Sequence, residues 1–390
     1  MAEQRGSDVA LVIAVGVATI GMIVADVMGG NPLGWSGPGS LAVGRAAVCF
    51  VVFGGVVLAV LSGGSRPLRG AEMVAARLGA LVRAGALFVL GGVLVTVSDS
   101  PSVILESFAV LVAVGVLVLG WRARWLFVAA VVTAVAGPLL VWWWQPEMPR
   151  RYADYLDGWV ASDRSGSGFV AEMAFDGVYP VLVWVPFLLL GVAIGRLDSE
   201  EVRVRVGLVV GGLVAAVVGY FAVWSMEGDS AGFGWTAYTP LEEGASTGAT
   251  YIDLPPDSDF YTMWSLSTGP TGPAYDPLLA ASAQSVVTPL QILGSAGVAA
   301  LLLGLILLIP TTLHRRLAPL SAVGRMPITL YTLSVLALTG LNLETLDRAA
   351  VLITLLTLTL IVAYFWNRFL GRAPLEWATD RLADRLTSMS

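Results

Sequence analysis

Ten stretches of roughly 20 apolar residues, nearly free of charge, run through the chain at about 8–30, 40–63, 76–98, 101–120, 123–144, 178–196, 204–226, 285–309, 318–341 and 348–370. A helix needs roughly 20 such residues to cross a hydrocarbon layer of about 30 Å. Within lipid every backbone N–H and C=O must be satisfied inside the segment itself. That pattern restricts the fold to an all-α polytopic transmembrane bundle of about ten helices. Composition agrees, since only 13% of the 390 residues are charged, about half the share in a soluble domain. The first stretch is too long for a signal peptide and lacks a small-x-small exit, so it reads as a retained anchor.

Arginine placement orients the bundle. All 22 basic residues are arginine, and 17 of them fall on alternate loops or helix ends: Arg5, Arg66, Arg69, Arg77, Arg83, Arg122, Arg124, Arg196, Arg203, Arg205, Arg315, Arg316, Arg325, Arg368, Arg372, Arg381 and Arg385. The expectation is a multi-pass plasma-membrane protein with both termini in the cytoplasm. The transmembrane domain then covers 1–371, and 372–390 forms a cytoplasmic amphipathic tail. A net charge of −6 argues against a nucleic-acid partner, and membrane lipids are the obvious surroundings.

Two long loops fall on the extracytoplasmic side. Loop 145–177 follows Trp142, Trp143 and Trp144, and carries Tyr152, Tyr155 and Trp159 at the spacing of a short surface helix. Loop 227–284 holds eight carboxylates and no basic residue, interleaved with eight aromatics that include Trp235 and Trp264. Disordered linkers are poor in aromatics, so this loop is expected to fold. Aromatic faces with carboxylates suit a sugar ring or an amine, which makes Trp235 and Trp264 candidate substrate contacts. A cap, or a docking surface for another membrane protein, is an equal alternative.

Ionisable groups within spanning segments are costly and mark candidate sites. Asp26 closes the first helix, Arg45 opens the second and Glu106 lies early in the fourth, all towards the outer side. A carboxylate there can act as general base and a guanidinium can hold an anion. An interhelical ion pair, or snorkelling to the headgroups, would also account for them. On the cytoplasmic side Arg83, Arg315 and Arg325 could grip the phosphates of a nucleotide-like donor such as coenzyme A, although topology alone requires most of these charges. Arg83 lies too deep for that explanation. The single Cys49 and single His314 leave no disulfide, no thiolate site and no metal-ligand cluster. Walker-type loops, serine elbows and CxxC pairs are absent. Paired glycines such as Gly54-Gly55, Gly91-Gly92 and Gly211-Gly212 read as close helix contacts.

Three segments carry a family resemblance. Trp366-Asn367-Arg368-Phe369 with Gly371-Arg372-Ala373-Pro374-Leu375-Glu376-Trp377, and Gly324-Arg325-Met326 with Thr329 and Tyr331, resemble signatures of the bacterial YeiB-like membrane family. Gly44-Arg45 and Phe53-Gly54-Gly55-Val56 resemble its second helix. The resemblance implies kinship with the heparan-α-glucosaminide N-acetyltransferase superfamily, whose members pass acetyl groups from cytosolic acetyl-CoA to an amino sugar across the membrane. It therefore implies a bacterial inner-membrane protein that takes acetyl-CoA as co-substrate, without a metal. The acyl group would go to an extracytoplasmic glycan or lipid acceptor near Asp26 and Glu106, with Arg45 and Trp35 as further substrate contacts. The superfamily's outer histidine is missing here, where Asn31-Pro32-Leu33-Gly34-Trp35 stands. Two alternatives follow from that departure: a catalytically inactive partner or scaffold in an envelope complex, and a small-molecule transporter.

Overall fold

A computed structural model describes the backbone of residues 2–28, 45–98, 103–144, 172–176, 179–227, 289–314, 316–340, 348–371 and 373–387. Among these residues there is helix and no strand. The helices are α1 (Ala2–Met28), α2 (Arg45–Leu61), α3 (Ala71–Val97), α4 (Leu105–Val118), α5 (Ala123–Trp144), α6 (Val181–Gly195), α7 (Val202–Glu227) and α8 (Pro289–Leu307), then the short α9 (Thr311–His314) and α10 (Ala318–Gly324), and finally α11 (Pro327–Gly340), α12 (Arg348–Phe369) and α13 (Pro374–Thr387). A single π-helical turn, Glu172–Asp176, precedes α6. Nearly all of the loops expected at 145–177 and 227–284 lies outside the described residues, including the surface helix anticipated around Tyr152–Trp159.

Six helices are long and apolar enough to cross a membrane, or seven if α10 and α11 count as one bent span. The remaining apolar helices, α2, α4 and α6, have 17, 14 and 15 residues, which gives about 21–26 Å of rise. Burial accounts for the shortness of α6, whereas α2 is described only from Arg45 onwards. Eleven of the 17 residues of α2 and 12 of the 15 of α6 are buried, and both ends of α6, Val181 and Gly195, meet protein and need not reach the headgroups. The outer helices show the reverse pattern. α7 exposes Val206, Val210, Leu213, Val214, Val217 and Phe221 as one stripe, and α3, α5 and α12 expose similar apolar rows. Apolar surface of that extent outside a bundle requires lipid. The chain is a membrane protein.

Small residues set the closest contacts. On the α2–α6 seam a Cβ at Gly55 would lie 2.5 Å from the Leu188 carbonyl oxygen, and one at Gly191 would collide with the Val52 carbonyl. Gly212, Ala216 and Gly219 of α7 meet Gly294, Gly297 and Leu301 of α8 in the same way. Lipid competes with apolar side chains, so backbone proximity and dispersion supply the association energy.

The last third of the chain closes on itself. α10 and α11 meet at 84°, and Pro327 opens α11, where its missing N–H leaves no helical bond unmade. Gly324 lies against Val12 and Gly16 of α1. Asn367 of α12 donates to the Ala322 carbonyl at 3.1 Å and to Met326 Sδ at 3.4 Å, which ties α12 to the bend. After Gly371, at φ 82°, α13 folds back. There Glu376 accepts from the Thr329 N–H at 3.0 Å and from the Thr329 hydroxyl, capping the half-buried start of α11.

Candidate functional site

Polar side chains gather at two ends of the bundle. At the end where α1 finishes and α2 and α4 begin, the Tyr331 hydroxyl of α11 donates to the Asp26 carboxylate. The same oxygen accepts from the backbone N–H of Ile104, and Tyr179 stands alongside. Ile104 is the residue just before α4, where helix N–H groups lack intrahelical acceptors and favour an electron-rich oxygen. Tyr331 is 3% exposed, so this pair is built into the packing. Glu106 sits in the first turn of α4 and packs over Gly91 and Gly92 of α3, on a different contact from the Asp26 pair.

Arg45 belongs to a separate group. Its Nε donates to the Tyr220 hydroxyl at 2.9 Å, and its guanidinium carbon lies 4.9 Å from the centre of the Tyr220 ring. The Tyr220 hydroxyl in turn shares a 3.0 Å hydrogen bond with Ser295 of α8, and the Tyr220 ring packs on Gly294. Thus α2, α7 and α8 are joined through Arg45. The structure gives Asp26 and Arg45 different partners at the same end of α1 and α2.

At the opposite, arginine-rich end, α2, α4 and α6 finish together around Arg196. This guanidinium is 6% exposed and reaches five acceptors. Nη1 donates to the carbonyls of Ala59 and Ser62, both at 3.3 Å, and of Gly64 at 2.8 Å. Nη2 donates to the Ser62 hydroxyl at 2.8 Å and to the Leu119 carbonyl. The negative ends of two helices stand in for a counter-ion.

Beside it opens a cavity of about 370 Å³ among α1, α2, α3, α4, α11 and α13. Its walls are apolar except for Ser62, Arg83 and Asp384. Arg83 Nε lies 3.0 Å from Asp380 of α13, with the two side chains 32% and 46% exposed, so the deep arginine of α3 is met by the chain's own tail. Arg325 is exposed at the α10–α11 bend. Arg315, Trp35, Trp235 and Trp264 lie outside the described residues. Among the described residues no group of three His, Cys, Asp or Glu side chains is placed to hold a metal.

Sequence reasoning passed over Tyr220, Ser295, Arg196 and Asp380 as site-forming residues. A hydroxyl in an apolar helix carries little signal, and Arg196 is indistinguishable by position from a topology charge. Tyr331 was visible as part of a signature, without a role.

The fold and its polar ends define a helical membrane protein with a buried carboxylate–phenol pair at one end and an apolar cavity at the other. Residues 261–385 match a family model described as protein of unknown function (DUF418). No curated protein matches the chain, and no solved structure does.

Proposed function

We propose that this protein is a membrane-bound acyltransferase of the bacterial inner membrane. It takes an acyl group from a cytosolic thioester of coenzyme A and transfers it to a hydroxyl or amine of an extracytoplasmic glycan or lipid. In this reading the arginine-rich end faces the cytoplasm, all ten apolar helices belong to the spanning bundle, and 227–284 lies over the acceptor side. The observation that carries the reading is the Tyr331–Asp26 hydrogen bond at the end opposite the cavity. The cavity lining reaches Ala18 and Ile328. Ala18 lies eight residues before Asp26 on α1, roughly 12 Å of helix, and Ile328 is one turn before Tyr331.

Asp26 is the general base in place of the missing histidine. The acceptor's O–H or N–H proton passes to its carboxylate as the new bond to the acyl carbon forms. The C–S bond breaks, the thiolate of coenzyme A leaves towards the cytoplasm, and Asp26 returns its proton to solvent. Tyr331 orients the carboxylate. Arg45 holds the acceptor mouth in shape through Tyr220, and Glu106 is a second carboxylate within the same end of the bundle. The Asp26→Asn variant keeps the size and the hydrogen-bonding atoms and loses the base. Turnover of radiolabelled acyl-CoA in proteoliposomes should fall by about 10²–10⁴-fold at unchanged expression and melting temperature. Tyr331→Phe should lower kcat less than Asp26→Asn does. Full turnover in Asp26→Asn removes this assignment.

A further inference from the structure

We propose that the cavity beneath α13 holds the alkyl chain of a single-chain anionic amphiphile, with Arg83 taking the head. This deepens the acyltransferase reading and rests on it only for the identity of the amphiphile, a long-chain acyl thioester in place of acetyl-CoA. The cavity lining combines the small residues Ala76, Gly79, Ala80 and Ala84 of α3 with Phe53 of α2 and Phe108 of α4. At about 370 Å³ it lies in the size range of small-molecule sites and exceeds the voids that packed interiors leave. Apart from Arg83 and Asp384 the lining's one polar side chain is Ser62, which already donates to Leu58 and Ala59 and accepts from Arg196. Such a space suits hydrocarbon. An acetyl group would fill little of it.

The mouth suits an anionic head. Arg83 lines the cavity, and its partner Asp380 sits on the half-exposed face of α13. An ion pair of that exposure is weak, and a phosphate can replace it with a bidentate hold. The start of α13 need not move, since Glu376 keeps it on Thr329. Ala383, buried at 2%, and Asp384 form the cavity wall in the tail's last turns. The tail therefore acts as a door whose hinge is Glu376 and whose latch is Asp380.

The test is binding of palmitoyl-CoA, acetyl-CoA and coenzyme A to the full detergent-purified chain, read by thermal stabilisation and native mass spectrometry. Palmitoyl-CoA should bind at least about tenfold more tightly than acetyl-CoA. Ala80→Phe, which fills the cavity, should erase that difference, and Ala84→Leu repeats the test if the first variant folds poorly. Asp380→Asn should tighten palmitoyl-CoA several-fold by freeing Arg83, and Arg83→Gln should weaken it. Equal binding of the two thioesters, or indifference to both filling variants, overturns the proposal. So does co-purifying phosphatidylglycerol that palmitoyl-CoA fails to displace. Long-chain binding without turnover removes the acyltransferase reading alone. Palmitoyl-CoA turnover no faster than acetyl-CoA turnover, or palmitoyl-CoA turnover that Ala80→Phe leaves unchanged, removes the long-chain reading alone.

Discussion

Replacing Arg196 by methionine removes a buried charge and keeps most of the volume. Its cost can be worked from which acceptors are left empty-handed. Ala59 O still accepts from the Ser62 and Gly64 N–H groups, at 3.1 and 2.9 Å, and Ser62 O still accepts from Leu68 at 3.0 Å. Ser62 Oγ keeps its own bonds to Leu58 and Ala59. The Gly64 and Leu119 carbonyls lose the Arg196 bond with no such replacement among the described backbone bonds. The buried Leu119 carbonyl left unsatisfied costs about 1–3 kcal/mol, and the half-buried Gly64 carbonyl, which water can reach, costs less. Methionine also avoids desolvating a guanidinium, which offsets part of this. A net destabilisation of about 1–3 kcal/mol is expected. Arg196→Lys should fall between, because an ammonium lacks the planar fork that serves several carbonyls at once. The chain carries its own reporter, since Cys49 is the single cysteine and is 4% exposed. A thiol-reactive dye therefore follows unfolding in micelles directly. Arg203→Met is the control, with its side chain 90% exposed and an expected change within about 0.5 kcal/mol. If Arg196→Met melts with Arg203→Met, the helix-end account of Arg196 is wrong.

Two further outcomes test the architecture. Gly191→Leu places a side chain where the Val52 carbonyl already sits. The α2–α6 seam must then part, and the variant should lose folded yield or cost about 3 kcal/mol or more, well beyond ordinary overpacking. Gly211→Leu meets nothing within 4 Å and should be tolerated, and equal behaviour of the two would refute the seam. Sidedness is tested in a Cys49→Ala background. Ser230→Cys in intact cells should react with an impermeant maleimide, and Ser388→Cys should react only after lysis. The opposite pattern would invert the orientation drawn from the arginines.

The helical membrane class was legible because lipid imposes a length and a composition on every spanning segment, and a single chain displays both. Helix ends were less legible. α4 and α6 are shorter than the stretches that announced them; for α6, burial among neighbours relaxes the length that lipid enforces, and hydropathy cannot separate a buried apolar residue from a lipid-facing one. Asp26 and Arg45 were recognisable by the cost of charge in an apolar segment. Their partners, Tyr331 and Tyr220, lie 305 and 175 positions away (331 − 26 and 220 − 45), and no local pattern points across such distances.

The signature segments make structural contacts of their own. Gly324 is in backbone contact with α1, Met326 and Asn367 bond across the bend, and Thr329 and Glu376 cap α11. Tyr331 of that set reaches a charged group, Asp26, at the end where α1 finishes. Arg325, the charge that made the segment look like a phosphate site, is the exposed residue at the corner. The same capping that holds α11 in place fixes the height at which Tyr331 meets Asp26, so a structural lock at one end of the bundle positions a polar pair towards the other. Loosening Glu376 should then disturb the Asp26 pair as well as the tail.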